Sequence, residues 1–68
     1  MNVIIVATGN TAENLWEGNL SPTPVKGDLI LLEESGYALS LVDHVLWHLY
    51  KDSERTWLEV RVTALADR

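Results

Sequence analysis

The apolar side chains of this chain come in short runs, and turn-forming residues separate one run from the next. The pattern is clearest from residue 24 to residue 62, where Lys26-Gly27-Asp28 and Glu34-Ser35-Gly36 stand between apolar segments. Short strands of a small β domain are punctuated in this way, whereas helices need longer periodic segments. The pattern therefore predicts an all-β protein.

The length of the chain limits how it can be stabilised. Its 68 residues make a single domain, residues 1–68, near the lower limit for a self-sufficient core. Domains of this size usually need disulfides, a metal or a partner subunit. Cysteine is absent, which excludes disulfides and thiolate metal sites. The 47% hydrophobic fraction fits either an efficient core or a core completed by a second copy of the chain.

The charge balance is acidic, with a formal net charge of -5. The five basic residues are scattered singly, and Asp28, Glu33 and Glu34 form an acidic patch around a predicted hairpin. Nucleic-acid binders cluster Lys and Arg, so we expect no nucleic-acid partner. Apolar runs such as Val3 to Ala7 are shorter than the roughly 20 residues that cross a bilayer as a helix. With no signal-peptide pattern either, we expect a cytoplasmic protein without membrane contact.

The first third of the chain predicts a hairpin. Residues 2–8 are a β-branched run that ends at a Gly-Asn turn, which indicates a strand. Residues 11–14 could cap one helical turn, or residues 14–17 could form a weak second strand with Trp16 facing away from its two neighbours. We favour the strand because the first strand needs a hairpin partner here.

The segment from Tyr37 to Tyr50 fits two elements. Helical spacing puts its polar positions on one face of an amphipathic helix, namely Ser40, Asp43, His44, His48 and Lys51. Strand spacing, with a slip near Asp43 of the kind that a β-bulge produces, puts its large apolar positions on one inward face, namely Tyr37, Leu39, Leu41, Val45, Trp47 and Leu49.

The segment that follows favours the strand. Residues 56–63 alternate strongly, with Leu58, Val60 and Val62 inward and Trp57, Glu59 and Arg61 outward. This strand follows a polar turn and needs an antiparallel neighbour. A helix that began after Gly36 would lack a proper N-cap beyond Ser35. We therefore predict a strand for residues 37–50 and a barrel of about five antiparallel strands.

Four spacings in the chain resemble those of a set of short, uncharacterised bacterial and phage proteins that look like small SH3-like barrels. The spacings are Pro-x-x-Gly-Asp-x-Ile, Gly-Tyr-x-Leu, Val-x-Trp and Leu-x-Val-x-Val, carried here by Pro24, Gly27, Asp28, Ile30, Gly36, Tyr37, Leu39, Val45, Trp47, Leu58, Val60 and Val62. The resemblance implies an SH3-like barrel, a class that mostly binds peptides, proteins or nucleic acids. It assigns an activity to no residue.

His44 and His48 are the only histidines, and Asp43 adjoins them. On a helix the two histidines would have the one-turn spacing of zinc ligands. On a strand they would share a face about 13 Å apart, too far for one metal. Ser40, Asp43 and His44 also supply the residue types of a hydrolytic triad, although near-neighbours on one element are poorly placed to aim at each other. We expect no cofactor; the alternative function is a metal-binding or hydrolytic mini-enzyme using Asp43, His44 and His48.

The aromatic residues carry the main functional prediction. Tyr37 and Trp47 are expected in the core, and Trp16, Trp57 and Tyr50 are expected on the surface. Surface aromatics can form a peptide-docking groove, anchor a homodimer interface or cover core edges. We predict a non-enzymatic interaction or accessory module of the kind that phages and plasmids carry. Trp16, Trp57 and Tyr50 are predicted to contact a protein or peptide partner, which includes a second copy of the chain.

Overall fold

The computed structural model describes residues 1–33 and 37–65, and the turn predicted at residues 34–36 lies outside this part. The strands are β1 (Asn2–Ala7), β2 (Asn10–Asn19), β3 (Leu29–Leu32), β4 (Tyr37–His48) and β5 (Trp57–Ala64). They form one curled sheet, a half-barrel compatible with a small SH3-like barrel, which confirms the all-β prediction. The helical element in the described part is the 3-10 turn Ser53–Arg55. No described helix is long and apolar enough to cross a membrane.

The strand order is β2-β1-β5-β4-β3, so β5 lies in the centre and β2 and β3 are the edges. Three of the pairings are antiparallel, as predicted. The pairing of β1 with β5 is parallel, which differs from the expected all-antiparallel sheet. The difference arises in the connection at residues 20–28, which takes the chain from the β2 edge to the β3 edge at one end of the sheet.

The inner face of the sheet carries the core. Its buried cluster consists of Val3, Ile5, Leu32, Val42, Leu58, Val60 and Val62. The alternation predicted for β5 is confirmed, since Leu58 and Val60 are 0% exposed and Val62 is 1% exposed. These side chains are covered completely because β5 has a paired neighbour on both sides, and β-branched residues fit such a pleated surface.

The bulge predicted near Asp43 is confirmed, because the register of β4 against β5 shifts between Val42 and His44. The inward phase predicted for the first half of β4 is wrong. Ser40 and Val42 are buried, whereas Leu39 is 37% exposed. A bulge adds one residue to one strand, so the inward phase changes from even to odd positions as the chain passes it.

Trp47 does not lie in the core, in contrast to the prediction. Its backbone pairs with Leu58 on the inner face, but its side chain is 49% exposed. The sheet stops at a half-barrel, so this end of the inner face stays open to solvent. Leu49, predicted inward, follows the end of β4 and is 74% exposed. The side chain of Tyr37, also predicted in the core, lies outside the described part.

The turn before β3 explains the Gly-Asp step of the sequence. Gly27 has φ of 96°, a conformation that glycine adopts without strain. The Oδ2 of Asp28 accepts a hydrogen bond from the backbone N–H of Val25 at 2.9 Å, which closes the turn. The N–H of Gly27 donates to the carbonyl of Val42 at 3.0 Å and ties the turn to β4. The Gly-Asp pair therefore has a structural role, because it forms the turn that leads into β3.

We expect Leu58→Ala to lower the free energy of unfolding by about 2 to 5 kcal/mol, because it leaves a cavity in the covered centre of the sheet. Leu49→Ala makes the same chemical change at a side chain that is 74% exposed, and we expect it to cost less than about 0.5 kcal/mol. Urea unfolding measures both values. Equal losses for the two variants would contradict this assignment of the core.

Candidate functional site

The open side of the half-barrel forms a groove of about 660 Å³ between the two edge strands. This volume lies in the usual range of ligand clefts, about 300–1,000 Å³. Its lining is mainly apolar and includes Ile5, Leu15, Trp16, Leu20, Ile30 and Glu33. No sequence pattern indicated this groove, because it depends on which strands become the edges of the sheet.

The wall on the β2 side is shaped by a bulge. The register of β2 against β1 shifts so that Leu15 is an inserted residue, and both Leu15 and Trp16 line the groove. Glu17 pairs with Ile4 and takes the opposite, outer face. The predicted second strand is confirmed and is longer than expected. The prediction that Leu15 shares a face with Glu17 is wrong, because the bulge turns Leu15 inward.

The indole of Trp16 lies over Gly18 on the same strand. A Cβ atom at Gly18 would stand 2.7 Å from Cη2 and 2.9 Å from Cζ2 of the ring. Real atoms do not approach so closely, so the glycine is what lets the ring lie flat against the strand. The Trp16 side chain is 37% exposed. It therefore presents an aromatic surface to the groove.

The three aromatics predicted to contact a partner do not form one cluster. Trp16 is in the groove, on the inner side. Trp57 lies on the outer face, where its ring stacks on His48 with centroids 3.8 Å apart and planes at 2°. Tyr50 follows β4, and the guanidinium carbon of Arg55 lies 4.9 Å from the centroid of its ring. Trp57 and Tyr50 thus make ring contacts within the chain.

A network of charged side chains covers the outer face at β5. Glu59 is 9% exposed; its Oε1 lies 2.9 Å from His48 Nε2, and its Oε2 accepts a hydrogen bond from Arg61 Nε. Burial alone would raise the pKa of Glu59. The hydrogen bonds and charges of Arg61 and His48 outweigh burial and hold this pKa below its ordinary value. The sequence predicted the outward direction of Glu59 but not its burial, which requires a neighbour from β4.

Asp43 occupies the bulge of β4 and links it to β5 and to Thr8, the residue that follows β1. Its Oδ2 accepts hydrogen bonds from the hydroxyl of Thr63 and from that of Thr8, the latter at 2.8 Å. These two bonds, with Thr63 the larger contribution, lower the pKa of Asp43. His44, beside it, is exposed on the outer face and adds a smaller lowering. One oxygen of this carboxylate thus accepts hydrogen bonds from two threonines.

The residues of the alternative function do not converge on one point. His44 and His48 stand on one strand, which lacks the one-turn spacing that the helix would have given. His48 contacts Glu59, whereas Asp43 contacts threonines. Ser40 is buried on the inner face, opposite to His44. Over residues 1–33 and 37–65, no three His, Cys, Asp or Glu side chains are grouped so that they could hold a metal.

Comparison with known proteins gives a negative result. No family model, curated protein or solved structure matches this chain. The resemblance to short bacterial and phage proteins therefore stays a prediction. Small barrels host many functions, so the fold alone assigns none.

We expect Glu59→Gln to lower the free energy of unfolding at neutral pH by roughly 1 to 3 kcal/mol, because it weakens the bonds to Arg61 and His48. A carboxyl whose folded pKa is lowered stabilises the fold above its unfolded pKa of about 4.3. That stability is lost as the pH falls through the folded pKa. The variant should therefore lose less stability than the wild type when the pH falls from about 5 to about 3.

Urea unfolding at a series of pH values measures this difference. Glu13→Gln serves as the control, because Glu13 is an exposed carboxylate on β2, and it should keep the wild-type loss on acidification. An acid-induced loss in Glu59→Gln as large as that of the wild type would mean that Glu59 is not the stabilising carboxylate.

We expect Gly18→Ala to displace the Trp16 indole, because the new methyl group would occupy the space of the ring. The signal of the Trp16 indole N–H in a nitrogen–proton NMR spectrum should shift strongly, while that of Trp57 on the outer face should not. The chain should stay folded, since the ring can turn away into the groove. An unchanged Trp16 signal would show that the ring does not lie over Gly18.

Proposed function

We propose that this chain is a non-enzymatic interaction module that binds an extended polypeptide segment in the groove between β2 and β3. The observation that supports the proposal is the open half-barrel, in which two edge strands flank an apolar groove. An edge strand offers backbone N–H and C=O groups that a partner strand can pair with. Pockets beside the edge then select alternate side chains of the partner.

The ladder between β1 and β2 indicates which groups of β2 point outward. The N–H of Leu20 donates to the carbonyl of Met1 at 3.1 Å, and Asn19 pairs with Asn2. Hydrogen-bonded and non-bonded pairs alternate along an antiparallel ladder. The backbone groups of Glu17 and Asn19 are therefore directed away from β1. β2 has 10 residues, which is long enough to add a partner strand over several bonds.

Trp16 is the aromatic that we propose as the main contact of this site. It lines the groove and is 37% exposed. We assign Trp57 and Tyr50, the other predicted contacts, at most a secondary part, because their rings already contact His48 and Arg55. The cytoplasmic location and the phage or plasmid origin expected from the sequence remain predictions.

The partner strand could come from another protein or from a second copy of the chain, since either would extend the sheet at β2. Selection of random peptides of ten residues, the length of β2, on the wild-type protein tests the proposal. We expect the recovered peptides to shift the NMR signals of the Trp16 indole and of the Glu17 and Asn19 amides. Light scattering over a range of concentrations reports the oligomeric state.

Asn19→Pro should weaken binding of the recovered peptides at least about tenfold, because proline removes an outward N–H but none of the bonds to β1. Asn19→Ala keeps the N–H and should bind like the wild type. Equal unfolding midpoints of the two variants confirm that the fold is intact. The proposal is wrong if Asn19→Pro binds like the wild type, or if the peptides shift signals around Trp57 instead.

A further inference from the structure

We infer that the occupant of this groove is a basic segment of another protein, in which Lys or Arg alternates with apolar residues. The inference rests on the proposed function and goes beyond it by naming the chemistry of the partner. Three observations carry it: the charges of the strands that flank the groove, the faces on which these charges lie, and the distribution of basic residues over the rest of the chain.

Carboxylates lie on or next to both strands that flank the groove. The charged residues of β2 are Glu13 and Glu17, and β3 is flanked by Asp28 and Glu33. Neither strand contains Lys or Arg. Glu33 also lines the groove itself. These four carboxylates outnumber Lys26, the one basic residue in the connection before β3, so the net charge on this side of the sheet is negative and favours a cationic partner over a neutral or an acidic one.

Two of the five Lys and Arg side chains are paired away from the groove. Arg61 bonds to Glu59 on the outer face of β5. Arg55 contacts the Tyr50 ring and lies 3.9 Å from Asp52 in the connection between β4 and β5. These pairs leave the carboxylates beside the groove without compensation from either arginine.

The faces of β2 predict the pattern of the partner. In a strand added antiparallel to β2, successive side chains point to opposite faces. Those on the inner side would enter the groove beside Trp16, which requires apolar residues. Those on the outer side would lie beside Glu17, which pairs with Ile4 on the outer face. An alternation of apolar and basic residues satisfies both faces.

The same charges disfavour a second copy of the chain as the occupant. Each copy carries a net charge of -5. Arg61 is the one Lys or Arg within the five strands, so no strand of a second copy could supply alternating basic residues. If β2 of two copies paired around Leu15, Glu13 of one copy would stand opposite Glu17 of the other, and like charges opposite each other are destabilising. Charged edge strands also prevent self-pairing in other proteins.

Three peptides of ten residues, the length of β2, test the inference. All alternate Val with one other residue, which is Lys in the first, Thr in the second and Glu in the third. Each is titrated at low salt into the labelled protein, and the Trp16 indole and Asn19 amide signals report binding. We expect the Lys peptide to bind about tenfold more tightly than the Thr peptide and the Glu peptide not to bind. The preference for Lys should decrease as salt is added.

Glu17→Gln tests whether the carboxylate beside the groove, and not the net charge of the chain, causes the preference for Lys. We expect it to weaken the Lys peptide about threefold while leaving the Thr peptide unchanged. Glu54→Gln removes one exposed carboxylate from the 3-10 turn and should leave both affinities unchanged. An equal effect of the two variants would overturn the inference, because the preference would then follow net charge alone.

Two further results would overturn the basic partner, and a third would overturn the proposed function. Equal affinities for the Lys and Thr peptides would overturn the basic partner and leave the proposed function standing. Concentration-dependent dimers that Asn19→Pro abolishes would also overturn the basic partner, because the occupant of the groove would then be a second copy of the chain. If no peptide of this set or of the random selection binds at β2, the proposed function itself fails.

Discussion

The pairing of β5 on both sides is the constraint on which the rest of the structure depends. β4 runs antiparallel to one side of it and β1 runs parallel to the other. A chain of 68 residues without cysteine has no disulfide to stabilise it, so its stability has to come from one well-covered row of side chains. The inward residues of β5 form that row, and they are at most 1% exposed. The sheet therefore depends most on the packing of its last strand, β5.

This arrangement leaves both edges of the sheet unpaired on their outer side. β2 and β3 each have one neighbour, and the connection at residues 20–28 joins them at one end without closing the barrel. The covered centre and the open edges have different consequences. The centre holds most of the buried cluster, to which the edge strands contribute Leu32 alone, and a partner strand can be added beside an edge without breaking any pairing of the sheet. A binding function at the edge is thus compatible with a small core.

Sequence patterns predicted the local features well, because those features are determined by neighbours along the chain. The alternation of β5, the turn at Gly27 and the bulge near Asp43 are of this kind. The parallel pairing of β1 with β5 could not be predicted, because local patterns do not state which distant strands meet. The phase of β4 before its bulge was wrong because Leu39 fits either face by hydrophobicity, and the choice was made by the partner strand.

The candidate site was predictable only in part, and for a related reason. Outward alternation and hydropathy marked Trp57 and Trp16 alike as surface aromatics. What distinguishes the two is the neighbour that each one meets in the fold. Trp57 stands beside His48, which stacks on it and bonds to Glu59.

Trp16 instead lies over a glycine, on an edge strand, beside an open groove. The ring of Trp57 thus belongs to a network that covers the outer face, whereas the ring of Trp16 is presented to whatever enters the groove. An aromatic side chain is available for binding when the strand beside it is missing. That property depends on the order of strands in the sheet, which is why the edge, and not the count of exposed aromatics, indicates where the candidate site lies.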